Sequence, residues 1–185
     1  LIAVADPIKA STPAALAALR RAGIRLVMAT GDHRASAEAV ARQLGIDEVE
    51  ADIPPAEKIA VVRRLKAQGH IVAMVGDGLN DAPGLAAADV GMARGGGTEV
   101  AIQSAPVTLV DGELSGILTA RALARATMRN IRQNLALAFV FNALAMPLAA
   151  GGLLSPSLAA AAIGLGSVSV IGNALRLKRV DIRSG

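Results

Sequence analysis

The chain has no cysteine, no tryptophan and no tyrosine, and only two phenylalanines among its 185 residues. Without cysteine it can build neither a disulfide nor a thiolate metal site from its own residues. It offers almost no aromatic platforms for stacking bases. Its formal net charge is only +4, and the basic residues are not gathered into one patch. No nucleic acid is therefore expected as a partner. Charge is scarce too: 18% of residues are charged against 53% hydrophobic, with a mean hydropathy of +0.49. That balance is too apolar for an ordinary soluble domain and too charged for a pure membrane bundle, so a chain split between the two is expected. Leu1 to Ala5 is apolar but too short for a signal peptide, and no basic residues precede it. It reads as a strand entered midway, which points to a piece of something longer.

The most informative stretch is Met74-Val75-Gly76-Asp77-Gly78-Leu79-Asn80-Asp81-Ala82-Pro83. The apolar run His70 to Val75 reads as a buried parallel strand, and it leads into a glycine-flanked acidic loop. Gly76 and Gly78 suit a sharp turn and close approach of a ligand to the backbone. A helix starting near Asn80 would aim free N–H groups at that loop, a place for phosphate, with Asp77 and Asp81 available to a hard cation such as Mg²⁺. A lone Gly-Asp-Gly is more often an ordinary turn; the whole ten-residue string is far more specific.

Strands and helices alternate around it. Leu1 to Ala5 reads as a strand ending at Asp6-Pro7. A helix from Pro13 to Ala22, with Thr12 as a candidate cap, stops at Gly23. A strand from Arg25 to Ala29 ends in Thr30-Gly31-Asp32. A helix from about His33 to Leu44 is closed by Gly45. Val49 to Ile53 reads as a short strand, and Pro54-Pro55 opens a helix through Lys58 to Gln68. Val90 to Ala93 and Val107 to Val110 read as further strands, with helical turns from Thr98 to Ser104 between them. This alternation predicts a parallel α/β sheet with right-handed crossovers, its ligands beyond the carboxyl ends of the strands. Asp6, Thr30 and Asp77 all fall at such ends.

The character changes after Gly112. Leu114 to Asn134 is helical in pattern and carries Arg121, Arg125, Arg129 and Arg132. Leu135 to Leu154 and Leu158 to Leu175 carry no charged side chain, and each is close to the ~20 residues a spanning helix requires. Basic residues flank the outer ends of both runs and are absent from Gly151 to Ser157. This predicts a membrane hairpin with both ends and the α/β part in the cytoplasm. The expected organisation is residues 1–112 as the α/β part, 113–133 as a basic linking helix, 134–177 as two membrane helices and 178–185 as a cytoplasmic tail.

Four strings together resemble the heavy-metal-transporting P-type ATPases, most nearly the copper pumps: Ala5-Asp6-Pro7-Ile8-Lys9, Met28-Ala29-Thr30-Gly31-Asp32, Met74 to Pro83, and Ser167 to Leu177. The resemblance implies the C-terminal portion of a haloacid-dehalogenase-like phosphorylation domain, followed by the last two membrane helices in an inner or plasma membrane. It implies transfer of the ATP γ-phosphoryl to an aspartate and later hydrolysis, chemistry that depends on positioned charge. By the resemblance, the Thr30 hydroxyl and the Gly31 backbone would hold phosphoryl oxygens, and Lys58 would neutralise the phosphate. Asp77, with Asp81, would form the Mg²⁺ side. Asn80 and Asp81 would position phosphate and loop, with Gly78 in the same loop, and Asp32 and Asp6 would face the nucleotide or brace the loops. ATP itself would be held mainly by a nucleotide-binding domain that these residues do not include.

The departures from the family pattern are specific. The nucleophile string Asp-Lys-Thr-Gly-Thr is absent, so this stretch alone could not form the phosphoenzyme; the N-terminal portion of the same pump is the expected partner. In the first span Phe141-Asn142 stands for Tyr-Asn. In the second, Ile163 stands for a methionine, with Ser167 kept at the right spacing. The zinc-type aspartate and the cobalt-type His-Glu string are absent. By the resemblance Cu(I) is the expected transported ion, with altered or lost selectivity left open by the missing thioether at Ile163; Asn142 and Ser167 are candidate path residues or helix–helix hydrogen-bonding groups, and membrane lipid is the surroundings. Two other readings are compatible with the composition. One is a membrane-anchored phosphatase, for which Asp6 is the only candidate nucleophile; the other is a non-catalytic remnant that associates with an intact pump.

Overall fold

The computed structural model describes residues 8–153 and 155–179. Leu1 to Ala5 and Asp6, expected as a strand and its polar end, lie outside the described residues. The chain divides into two units, Leu1–Leu118 and Thr119–Gly185.

In the first unit the order is α1 (Thr12–Arg21), β1 (Val27–Ala29), α2 (Arg34–Leu44), β2 (Glu48–Glu50), α3 (Pro55–Ala67), β3 (Ala73–Gly76), a 3₁₀ turn (Leu79–Asp81), α4 (Ala82–Ala87), β4 (Val90–Arg94), α5 (Glu99–Gln103) and β5 (Val107–Leu109). The helix boundaries follow local chemistry. Pro13 and Pro55 sit in first turns, where a missing N–H costs nothing. Gly45 closes α2 with φ 67°, a left-handed conformation that glycine adopts without strain. At α1 the cap position is Ser11, not Thr12, and its side chain makes no capping bond. At α2 the cap is His33, whose Nδ1 accepts from the Ala35 N–H at 3.4 Å.

Every strand pair is parallel, as the alternation predicts. The expected single sheet is, among the described residues, two pieces: β1–β2, and β3–β4–β5. Among the described residues β1 and β3 each pair on one side only, so each has an edge with no described strand beside it. β3 also differs from the expected buried strand. It begins at Ala73 rather than His70; Ala73 is exposed, Met74 and Val75 are half-buried, and only Gly76 is buried. The apolar run lies beside the open edge, and this leaves Ile71 exposed. β2 ends at Glu50 rather than Ile53, because Asp52 turns into the left-handed region at φ 55°.

The core gathers where α3, α4 and α5 cover the three-stranded sheet. Leu85, Met92, Ala93, Ala101 and Leu109 are buried there, with Val61, Val62 and Leu65 of α3 beside them. Burial of Leu85 alone is worth about 1.5–3 kcal/mol. This packing fixes the carboxyl ends of β3 and β4, where the acidic loop sits.

The long helix α6 (Ser115–Ala150) runs through the basic stretch and the first uncharged run; α7 (Pro156–Arg176) covers the second. Both are long and apolar enough to cross a membrane, and none of their apolar windows is buried inside the protein. α6 ends at Ala150, before the expected Leu154, because Gly152 takes φ 71°. Ser155 caps α7, its Oγ accepting from the Leu158 N–H at 3.4 Å. In the second unit four carboxamides tie the two helices together. Asn130 Nδ2 donates to the Asn173 carbonyl at 2.7 Å, and Asn173 Nδ2 donates to Asn134 Oδ1 at 2.8 Å and Gln133 Oε1 at 3.4 Å.

Candidate functional site

The acidic loop leaves β3 at Gly76 and is folded around Asp81. This carboxylate is 8% exposed, the one buried charged side chain among the described residues. Its Oδ1 accepts from Lys58 Nζ at 2.7 Å, and its Oδ2 accepts from the Asp77 and Gly78 N–H groups at 3.3 Å each. Burial pushes the Asp81 carboxyl up, but the Lys58 hydrogen bond and charge and the two backbone donors outweigh it, so it lies below the usual carboxylate range. Both oxygens are engaged, which suits bracing of the loop from within.

Gly76 serves this arrangement by its size. A Cβ there would stand 2.6 Å from Asp81 Cβ and 2.9 Å from its Oδ2. Gly78 is extended (φ −106°) and has room for a side chain, so the sharp-turn role expected for it does not apply.

Asp77, by contrast, is exposed. Its Oδ2 accepts from Arg94 Nη1 at 2.7 Å, and its carbonyl accepts from the Thr98 N–H at 2.8 Å. Asn80 is exposed in the 3₁₀ turn. Lys58, Asp77, Asp81 and Arg94 all border one cleft of about 360 Å³, whose walls are β1 (Val27, Ala29) and β3 (Ala73 to Gly76). Thr30, Gly31 and Asp32 follow Ala29 at the end of β1 but do not line the cleft. The Thr30 hydroxyl donates to Asp32 Oδ2 at 2.9 Å, and the Thr30 N–H donates to the Glu50 carbonyl at 2.9 Å. No cluster of three or more His, Cys, Asp or Glu that could hold a metal occurs among the described residues. Mg²⁺ does not need one: it keeps several waters and commonly takes one or two carboxylates plus phosphate oxygens. An exposed Asp77 at the border of the cleft fits that donor set.

Asn142 and Ser167 also share a cleft, of about 660 Å³, with Met146 and Ile163 on its walls. Each is bonded within its own helix, Asn142 Nδ2 to the Ala138 carbonyl at 2.9 Å and Ser167 Oγ to the Ile163 carbonyl at 3.0 Å. The side chain that sequence reasoning passed over is Arg94. Its one signal was a cation at a strand end, directly before Gly95-Gly96-Gly97.

The Lys58–Asp81 pair makes acid stability testable. Because the folded carboxyl is held below its unfolded value of about 3.9, its contribution is fully present above that value and disappears as pH falls through the folded one. Thermal melting followed from about pH 7 to about pH 3 is expected to show a shallower acid decline in Asp81→Asn than in wild type.

An α/β domain with this loop, followed by two long apolar helices, is a haloacid-dehalogenase-like domain joined to candidate membrane helices. A family model described as haloacid dehalogenase-like hydrolase matches residues 1–89. The chain is 64% identical to a silver exporting P-type ATPase of Salmonella typhimurium, over 98% of this chain and 23% of that protein. It is 58% identical to a copper-transporting P-type ATPase of Rhizobium leguminosarum bv. viciae, over 96% of this chain and 22% of that one. Among solved structures it matches a zinc-transporting PIB-type ATPase in the E2.Pi state with a TM-score of 0.87 and 38% identity, covering 93% of this chain and 28% of that one. The chain therefore spans about a quarter of the length of these relatives. Over nearly its whole length it is similar to part of the heavy-metal-transporting P-type ATPases, among them proteins named for silver, copper and zinc.

Proposed function

We propose that the chain is the C-terminal part of an ATP-driven transition-metal transporter. It supplies the Mg²⁺- and phosphate-positioning half of an aspartyl-phosphate site, together with the last two membrane helices. The observation that carries this reading is the convergence of Lys58, Asp77 and Asp81 on a cleft between two open parallel edges, β1 and β3. A strand from the N-terminal portion of the pump, entering between those edges, pairs on both sides and delivers the nucleophilic aspartate to the carboxyl end of the sheet. It also covers the exposed flank of β3.

In this reading Asp77 ligates Mg²⁺ while Asp81 and Gly78 shape its loop. Lys58 and Asn80 meet the phosphoryl group, with the Thr30 hydroxyl and the Gly31 backbone at the adjoining strand end. Asp32, and Asp6 before α1, brace the side from which nucleotide arrives. Residues 1–112 act in the cytoplasm, 113–133 link them to the membrane, 134–177 cross it and 178–185 return to the cytoplasm. The transported ion is Cu(I), passing Asn142 and Ser167, with Met146 as the soft donor in their cleft.

Phosphoenzyme formation from labelled ATP, measured on the intact pump in membranes, tests this. Stimulation by Cu(I) or Ag(I) but not by Zn²⁺ is expected. Stimulation by Zn²⁺ alone would overturn the copper assignment, and absence of any phosphoenzyme would overturn the pump.

A further inference from the structure

We propose that Arg94 is a built-in counter-cation on Asp77 that a divalent ion must compete with, so that this side chain sets the cation affinity of the site. The inference rests on the reading of Asp77 as the Mg²⁺ ligand. It starts from register. β3 and β4 pair Gly76 with Ala93, so the next residues, Asp77 and Arg94, emerge side by side at the carboxyl ends of neighbouring parallel strands. The guanidinium Nη1 stands 2.7 Å from Asp77 Oδ2. A cation bound to either carboxylate oxygen would lie within a few ångströms of that positive charge, and the two repel.

Three further features make the competition specific. Lys58, the other cation bordering the cleft, is held by Asp81 at 2.7 Å and leaves Asp77 to Arg94. Asp77 does not need Arg94 for its position. Its carbonyl is fixed by the Thr98 N–H, and Gly97 packs so closely that a Cβ there would come within 2.6 Å of the same carbonyl oxygen. Finally, Arg94 Nε is buried without a hydrogen-bond partner. The pose on Asp77 thus leaves one donor of the guanidinium group unmet, and a change of rotamer can recover it when a divalent ion takes the carboxylate. The pair itself is partly exposed, with side chains 38% and 51% accessible, so its hold is moderate and a divalent ion can break it.

The experiment is Mn²⁺ binding followed by electron paramagnetic resonance on the full-length pump without nucleotide, comparing wild type, Arg94→Met, Arg94→Gln and Asp77→Asn. The component of binding lost in Asp77→Asn defines the site. Both Arg94 variants are expected to bind that component about three- to tenfold more tightly than wild type, with melting temperatures confirming that they fold. Equal or weaker binding in the Arg94 variants, with the Asp77-dependent component intact in wild type, overturns the proposal and leaves the Asp77 reading standing. If Asp77→Asn removes no Mn²⁺ binding, both fall together.

Discussion

Asp77→Ala in the intact pump is expected to remove the Mg²⁺-dependent phosphoenzyme, lowering its rate of formation by about 10²–10³-fold. The expectation comes from the division of labour between the two loop carboxylates. Asp81 has both oxygens committed, to Lys58 on one side and to two backbone N–H groups on the other. Asp77 has one oxygen on a partly exposed arginine, is itself exposed and borders the cleft, so it is the carboxylate available to a metal and a phosphate. Removing it also leaves the Arg94 charge unopposed where a divalent cation must arrive. The fold itself should survive, because the Asp77 backbone is held through its carbonyl by Thr98 rather than through its side chain. Labelling with radioactive ATP across a Mg²⁺ titration, together with a melting curve, separates these effects. A phosphoenzyme level and Mg²⁺ dependence equal to wild type would refute the role.

Gly76→Ala is expected to be nearly as damaging, although the change adds one methyl group. The new Cβ would stand 2.6 Å from Asp81 Cβ, a distance at which one side must move. Asp81 is wedged between that backbone and Lys58, so its displacement costs the ion pair and both backbone hydrogen bonds at once. Overpacking of this kind costs about 1–3 kcal/mol, and a buried carboxylate without partners adds about as much again. A fall in melting temperature accompanied by loss of phosphoenzyme is the expected outcome. Full activity with unchanged melting would show that the loop tolerates the shift. Gly78→Ala is the control, since the nearest atom to its added Cβ is 3.7 Å away.

What could be read from the residues, and what could not, divides by range. Local chemistry was legible: Pro13, Gly45 and Pro55 mark helix ends, and the Thr-Gly-Asp and Gly-Asp-Gly strings mark strand ends. The alternation of strands and helices carried the parallel topology. The division of the sheet at β1 and β3 was not legible, because pairing partners are not written in either strand. An apolar run such as His70 to Val75 looks the same whether its edge is covered or open, and so its burial was overestimated. The site shows the same limit. Asp77 and Asp81 stand out in their string, but the pairs Lys58–Asp81 and Arg94–Asp77 join residues far apart in the chain. The second of these depends on the β3–β4 register, which only the folded sheet supplies. Nothing local distinguishes Lys58 from the other lysines on helices until Asp81 is placed beneath it.

The carboxamide knot between α6 and α7 has a consequence of another kind. Asn130, Gln133, Asn134 and Asn173 carry no ionisable group, so their bonds neither titrate between acid and alkaline conditions nor fade as salt is added. Ion pairs at the same place would have tied the two helices together with a strength that varied with the cell's chemistry. Amides give a joint indifferent to the surrounding electrolyte, so this end of the helix pair keeps its geometry while charges elsewhere in the protein come and go.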